Sequence, residues 1–230
     1  MSASREIFDA QIVLAGEFLP SIFSPDWFAR NNLIGGEDLE VATAGNLVVS
    51  REVTNFQTDW FAFQALQQQI VFTSLGPVNP LIKDLAVGAL MLLPETLVTG
   101  VGLNFRSHYK TSNRSEYHLI GDNLVPKDKW KGLFPDMHVG LVNLQVMAQK
   151  VNDNGDAASG DQFHVFVQPS GTIKEGIFVA TNDHHAVVVD TPKQPLGEKA
   201  AQIVRDLWEP AWHRSMELSD QLLADLLVGD

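Results

Sequence analysis

The chain has 230 residues and a mass of 25.3 kDa, with 45% of the residues hydrophobic and 19% charged. That length holds one large domain or two small ones, and an ordinary apolar share excludes a disordered, collagen-like or rod-like chain. With 28 acidic against 16 basic residues the formal charge is -12, which disfavours nucleic acid as a general partner because phosphate backbones repel such a surface.

Residues 11–18 are predicted as the first strand, carried by Ile12, Val13 and Leu14. Ser24-Pro25-Asp26 then has the chemistry of a helix start: a capping hydroxyl, a proline suited to the first position and an acid at the positive helix end. Asn31-Asn32 and Gly35-Gly36 end that helix quickly. Residues 46–75 read mainly as strand, with Gln67-Gln68-Gln69 between two aromatic runs as a turn, an exposed strand or a short helix. Gly76-Pro77 closes the stretch.

Asn79-Pro80 opens a helix in which Leu81, Ile82, Leu85, Ala86, Ala89 and Leu90 recur at helical spacing, and Pro94 stops it. Residues 97–109 form a long strand, with Gly100 and Gly102 read as room for the preceding helix to lie close. Residues 110–136 are polar, with short helical pieces near 115–120 and 126–133. Four antiparallel strands are predicted at 137–150, 162–168, 176–181 and 186–190, the last two joined by a turn at Asn182-Asp183. A helix from about Leu196 to Leu227, interrupted near Pro210, ends the sequence. Strands followed by a helix, twice over, give an α+β fold with a largely antiparallel sheet, one buried apolar helix in each half and a long C-terminal amphipathic helix. The expected organisation is a single α+β domain over 1–230, or two sub-domains, 1–110 and 137–230, joined by a polar, basic connector at 111–136.

The absence of cysteine excludes disulfide frameworks, thiolate metal sites and cysteine nucleophiles. The N-terminal residues carry mixed charges rather than a basic stretch and an apolar block, and the longest apolar run, residues 85–93, is too short to cross a bilayer. The expectation is therefore a soluble, cytoplasmic protein with no membrane partner.

The charge is unevenly distributed. Residues 106–131 hold six basic and three acidic residues, a local balance of +3, between two acidic stretches. Arg106, His108 and Lys110 share one face of the predicted strand, and with Arg114 and Lys127 they are the candidate binding residues for an anionic small molecule. The competing reading is a solvated connector that neutralises the acidic body.

Asp183-His184-His185 is the only local histidine cluster, and it is read as part of a solvent-facing turn rather than a metal site. Residues 152–156 resemble a calcium loop in their Asn/Asp alternation but lack the closing Glu, so they read as a hairpin loop. No nucleophile elbow, phosphate-binding loop or dinucleotide fingerprint is present. No catalytic residue, metal or cofactor is assigned.

Trp208, Trp212, Met216 and Leu223 recur at three- and four-residue steps on the closing helix. Either this stripe covers the protein's own sheet, or it docks on a second copy or another protein through its aromatic anchors. The leading expectation is a non-catalytic binding or assembly protein that forms a homodimer or meets a protein partner. An enzyme or receptor for an anionic ligand at 106–131 is the alternative.

Overall fold

Alternation along the strands decides the architecture. In the computed structural model, which describes residues 3–76, 80–152, 154, 157–189 and 194–228, β1 (Ser4–Gly16) buries Ala10, Ile12 and Leu14, whereas Gln11, Val13 and Ala15 face the other way. β1 pairs antiparallel with β6 (Val98–Lys110) along its whole length, from Ser4 opposite Lys110 to Gly16 opposite Val98. A meander of β2 (Val48–Val49), β3 (Val53–Gln57), β4 (Phe61–Leu66) and β5 (Gln69–Ser74) attaches to β1. A second meander of β7 (Leu144–Val151), β8 (Ala157–Pro169) and β9 (Gly176–Ala186) attaches to β6. The result among the described residues is one nine-stranded antiparallel sheet in the order β2-β3-β4-β5-β1-β6-β9-β8-β7, with six α-helices. The α+β expectation holds.

The helices pack on one face. α1 (Pro25–Arg30) starts as its sequence predicts, with the Ser24 hydroxyl accepting from the Trp27 amide at 3.2 Å. Phe28 interlocks edge-on with Phe56 and Phe63, and Phe63 with Phe72. α3 (Leu81–Leu92) buries Ile82, Leu85, Ala86, Ala89 and Leu90 of the predicted stripe, while Leu81, in its first turn, is exposed. α6 (Leu196–Val228) lies along the sheet with Trp208 against Phe105, ring centroids 5.2 Å apart, and Trp212 against Phe8.

Several expectations are corrected. β1 begins seven residues earlier than predicted because β6 is long enough to pair with it throughout. The Gly35-Gly36 pair does not end helical structure but starts it: α2 (Gly36–Ala44) follows, with the Asp38 carboxylate accepting from the Gly35 amide. Of the three readings open for Gln67-Gln68-Gln69, the turn holds for Gln67-Gln68 between β4 and β5, and Gln69 already belongs to the strand. Three strands rather than four follow residue 137, because Asn182-Asp183 lies inside β9 instead of turning the chain. Pro210 sits on the exposed side of α6, which runs through it without a break. Gly100 and Gly102 make room on the face away from the helices: a Cβ at Gly100 would meet His184 Cε1 at 2.9 Å.

The 111–136 segment forms α4 (Arg114–Leu124) and α5 (Asp128–Lys131). Ile120 of α4 is fully buried with Tyr109, Val167, Ile177, Leu223 and Leu227, so this segment closes a second core under the end of α6. β6 is hydrogen-bonded to β1 on one side and β9 on the other, carrying one sheet through both halves.

Trp208, 1% exposed, is the largest fully buried side chain. Its replacement by Ala is expected to destabilise the protein by about 3–5 kcal/mol through lost contacts and an unfilled cavity. Urea denaturation of Trp208→Ala measures this, and Trp212→Ala, half-exposed on the same helix, is expected to lose less.

Candidate functional site

The candidate anion residues divide between two faces of the sheet. Arg106, His108 and Lys110 alternate along β6 and point away from the helices. Arg106 Nε donates to Asp9 Oδ1 at 2.5 Å, and Lys110 Nζ donates to the carbonyl of Lys174. His108 Nδ1 lies 2.8 Å from Ser170 Oγ and its ring rests against Phe178. Burial holds the His108 pKa below its ordinary value, more than Asp9 beside it raises it.

Arg114 and Lys127 lie on the helix side. α4 is capped by Asn113, whose Oδ1 accepts from the Glu116 amide, and Arg114 Nε donates to His118 Nε2 at 3.2 Å. Lys127 pairs with Asp122 at 2.6 Å. Together with His138 these residues line a cavity of about 390 Å³ closed on its apolar side by Tyr117 and Leu141. That volume lies within the range of small-ligand sites, about 300–1,000 Å³. The five residues therefore do not form one site. Only Arg114 and Lys127 converge, and His118 and His138 complete the cavity; His118 stands one helical turn after Arg114, whereas His138 carries no local signal.

The partner residues also divide. Trp208 and Leu223 belong to the protein's own core, 1% and 2% exposed, and neither is free to anchor another molecule. Trp212 and Met216 are half-buried at the rim of the same contact.

Asp183 and His185 overturn the reading of a solvent-facing turn. Asp183 is 5% exposed on β9, facing α6, and accepts a hydrogen bond from the Arg214 guanidinium. The Arg214 guanidinium also lies over the Phe163 ring, 4.6 Å from its centroid. His185 Nε2 is 3.1 Å from Asp183 Oδ1, at ion-pair distance but without the alignment of a hydrogen bond, and Nδ1 is 3.3 Å from Asp161 Oδ2. Burial opposes charge on His185, yet the two carboxylates outweigh it and raise its pKa. Burial alone would raise the Asp183 pKa, but His185 and Arg214 together lower it. With a carboxylate beside each ring nitrogen, the His185 imidazole is engaged within the protein and faces no open space. The arrangement fastens α6 to the sheet. His184, on the opposite face, has its pKa lowered by burial and by the neighbouring His185 and His164.

Other polar links join the same helix to the sheet. Tyr109 Oη accepts from Arg5 Nε at 2.9 Å and donates to Asp220 Oδ1 at 2.8 Å, with Arg5 and Asp220 paired directly. Burial, reinforced by Asp220, pushes the Tyr109 hydroxyl up to about 12. Thr181 and Ser215 share a hydrogen bond at 2.5 Å.

No protein-family model matches the chain, and no curated protein matches it in sequence. The geometry alone carries the functional reading.

Among the described residues, no group of three or more His, Cys, Asp or Glu side chains is arranged to hold a metal ion, and no helix is long and apolar enough to cross a membrane. Of the 152–156 loop, only residues 152 and 154 lie among those described. The face away from the helices carries a buried acceptor with no hydrogen-bond partner, Asn182 Oδ1. Leaving such a group unsatisfied costs about 1–3 kcal/mol.

The His185 contribution to stability is complete below the ordinary histidine value of 6.5 and fades as pH rises through its raised folded value. The Asp183 contribution is complete above 3.8 and fades as pH falls through its lowered value. His184, held towards neutrality, instead disfavours the fold as pH falls below 6.5. His185→Gln is therefore expected to lose about 1 kcal/mol relative to the parent near pH 5.5, with the deficit narrowing as pH rises through the raised folded value. His184→Gln is expected to shift stability in the opposite sense at the acidic end. Melting curves across pH for the three proteins measure both effects.

Proposed function

We propose that this protein is a non-catalytic assembly module that pairs with a second copy of itself through the outer edge of β7. The observation that carries this reading is the unprotected apolar surface at that edge. β7 is the last strand of the sheet, and Val146, Met147 and Val151 are exposed on it. Met137 and Val142 in the segment leading into it are 71% and 79% exposed. Natural sheet edges are shielded by charge, proline or brevity. The opposite edge is shielded by brevity, since β2 has only two residues. β7 has eight residues and a single charge, Lys150.

Antiparallel pairing of two identical strands is two-fold symmetric, so one patch meets itself. With the axis at Ala148, Lys150 faces Val146 of the other copy and no like charges oppose one another. Light scattering after size exclusion is expected to give twice the 25.3 kDa chain mass. Val146→Lys sets a new cation beside Lys150 and is expected to give a folded monomer. A monomeric parent protein, or a dimer that survives Val146→Lys, overturns the reading.

A second reading rests on the α4 cavity. Arg114, Lys127, His118 and His138 surround a space suited to a small phosphate- or carboxylate-bearing molecule. Phosphate or citrate at about 100 times its Kd would add roughly 2.7 kcal/mol of stability. A rise in melting temperature that disappears in Arg114→Ala/Lys127→Ala supports this reading, and no rise with either anion removes it.

A further inference from the structure

The face of the sheet that the helices leave open has an unusual composition. Strand registers place side chains in rows that cross the sheet at right angles to the strands. One row starts at Met147 on the β7 edge and runs through His164, Asn182, Asn104, Gln11, Thr73 and, beyond the small Ala62, Gln57. The neighbouring row holds Gln149, Gln162 and His184 at one end and Gln64, Asn55 and the terminal Val48 at the other, with Gly102, Val13 and Val71 between them. Neither row contains a carboxylate, a lysine or an arginine, in a chain whose net charge is -12. The nearest charges on this face, Asp9 and Arg106, neutralise each other at 2.5 Å. Solvated sheet faces need polarity of any kind. This one is polar almost entirely through amides, hydroxyls and imidazoles.

From this grid we infer that the open face is a binding site for an uncharged polyhydroxylated chain, a neutral oligosaccharide. An amide offers two donors and an acceptor in a plane, matching the adjacent hydroxyls of a sugar ring, and its lack of charge keeps desolvation modest. The surface is shaped as well as polar. Gln11, Asn55, Gln64, Gln69 and Thr73 rim a shallow depression of about 330 Å³ with Val13 in its floor, crossing β3, β4, β5 and β1. Toward β8 the same face carries flat apolar surfaces, with Phe166 stacked on His164 and Phe178 against His108. Between these two regions lies the half-buried Asn182, whose Oδ1 has no hydrogen-bond partner and becomes available to a ligand hydroxyl when the side chain turns outward.

The spacing disfavours an extended peptide. Neighbouring strands present their side chains every ~4.8 Å along a row, whereas an extended peptide repeats its like-facing groups every ~6.7 Å and falls out of step within a few residues. An anionic polymer gains nothing from rows without cations, and the acidic body repels it.

The test is calorimetric titration of the full chain with uncharged hexasaccharides: β-1,4-linked glucose, xylose and N-acetylglucosamine, and α-1,4-linked glucose. At least one is expected to bind with a Kd below about 1 mM. Gln11→Ala/Gln64→Ala and Asn182→Ala are each expected to weaken that binding about tenfold or more. Their side chains lie outside the helix-covered core, and an unchanged circular-dichroism spectrum confirms that each variant is folded. Val146→Lys, on the other face at the β7 edge, is expected to bind as the parent does, so loss of the dimer and loss of the sugar site are read separately. Failure of all four sugars to bind overturns the inference. Binding that the open-face variants leave intact overturns it as well, as does finding that the parent protein prefers heparin or an extended peptide to every neutral sugar.

Discussion

A sheet has two faces, and this protein has helices for only one of them. Nine strands form a single antiparallel surface, and α1, α2, α3 and α6 pack on the side where Ile12, Phe63, Phe72, Leu103 and Phe105 converge. Every other property follows from that allocation. The covered side is aromatic and dry, so its side chains are fixed by mutual packing. The uncovered side has to be compatible with water, and period-two alternation lets one strand meet both demands at once. The -12 charge lies largely away from the sheet's central rows, which leaves the open face close to electrically neutral.

α6 is held by two kinds of force. Apolar contact supplies most of the attraction, through Trp208, Val204, Ala211 and Leu223. It does not by itself fix where along the sheet the helix stops, because hydrophobic burial is non-directional. The polar links do that. Arg214 with Asp183, Ser215 with Thr181, and Asp220 with Tyr109 and Arg5 tie successive turns of the helix to two different strands and to the N-terminal strand. A shift by one turn would break all of them at once and leave Asp183 buried without its arginine, which is costly.

Features set by nearby residues were legible in the sequence. The Ser24 cap, the α3 stripe and the long strand before residue 110 all depend on chemistry within a few positions. Features set by distant partners were not. Asn182-Asp183 has the composition of a turn, and it is a strand because Arg214, 31 residues away, compensates the buried carboxylate. Gly35-Gly36 has the composition of a break, although Glu37 and Asp38 after it are the acids of a first helical turn. The Trp208 and Leu223 stripe looks the same whether it meets the chain's own sheet or another molecule, because amphipathicity states that a face is covered and not by what. The basic segment was visible as a charge balance, but β6 sends three of its residues to the open face, while Arg114 on α4 and Lys127 just before α5 lie on the helix side. The polar rows of the open face were hidden for a simpler reason. Each strand contributes only one residue to a row, so the pattern exists only once the registers are known.

The β1–β6 pair also determines how the chain has to assemble in time. Ser4 lies opposite Lys110, so the centre of the sheet joins segments about a hundred residues apart. The hairpins of β3 with β4 and β4 with β5 close short loops and can form early. The pair that seats them closes one of the longest loops in the molecule, and loop-closure entropy makes such contacts slow. β9 has no neighbour on its inner side until β6 is in place, and α6 has no complete surface to land on before both have docked. Until that point the apolar flank of each meander is open to solvent. The central pair is thus the kinetic keystone of the fold, and the interval before it forms is when the chain is most exposed to aggregation.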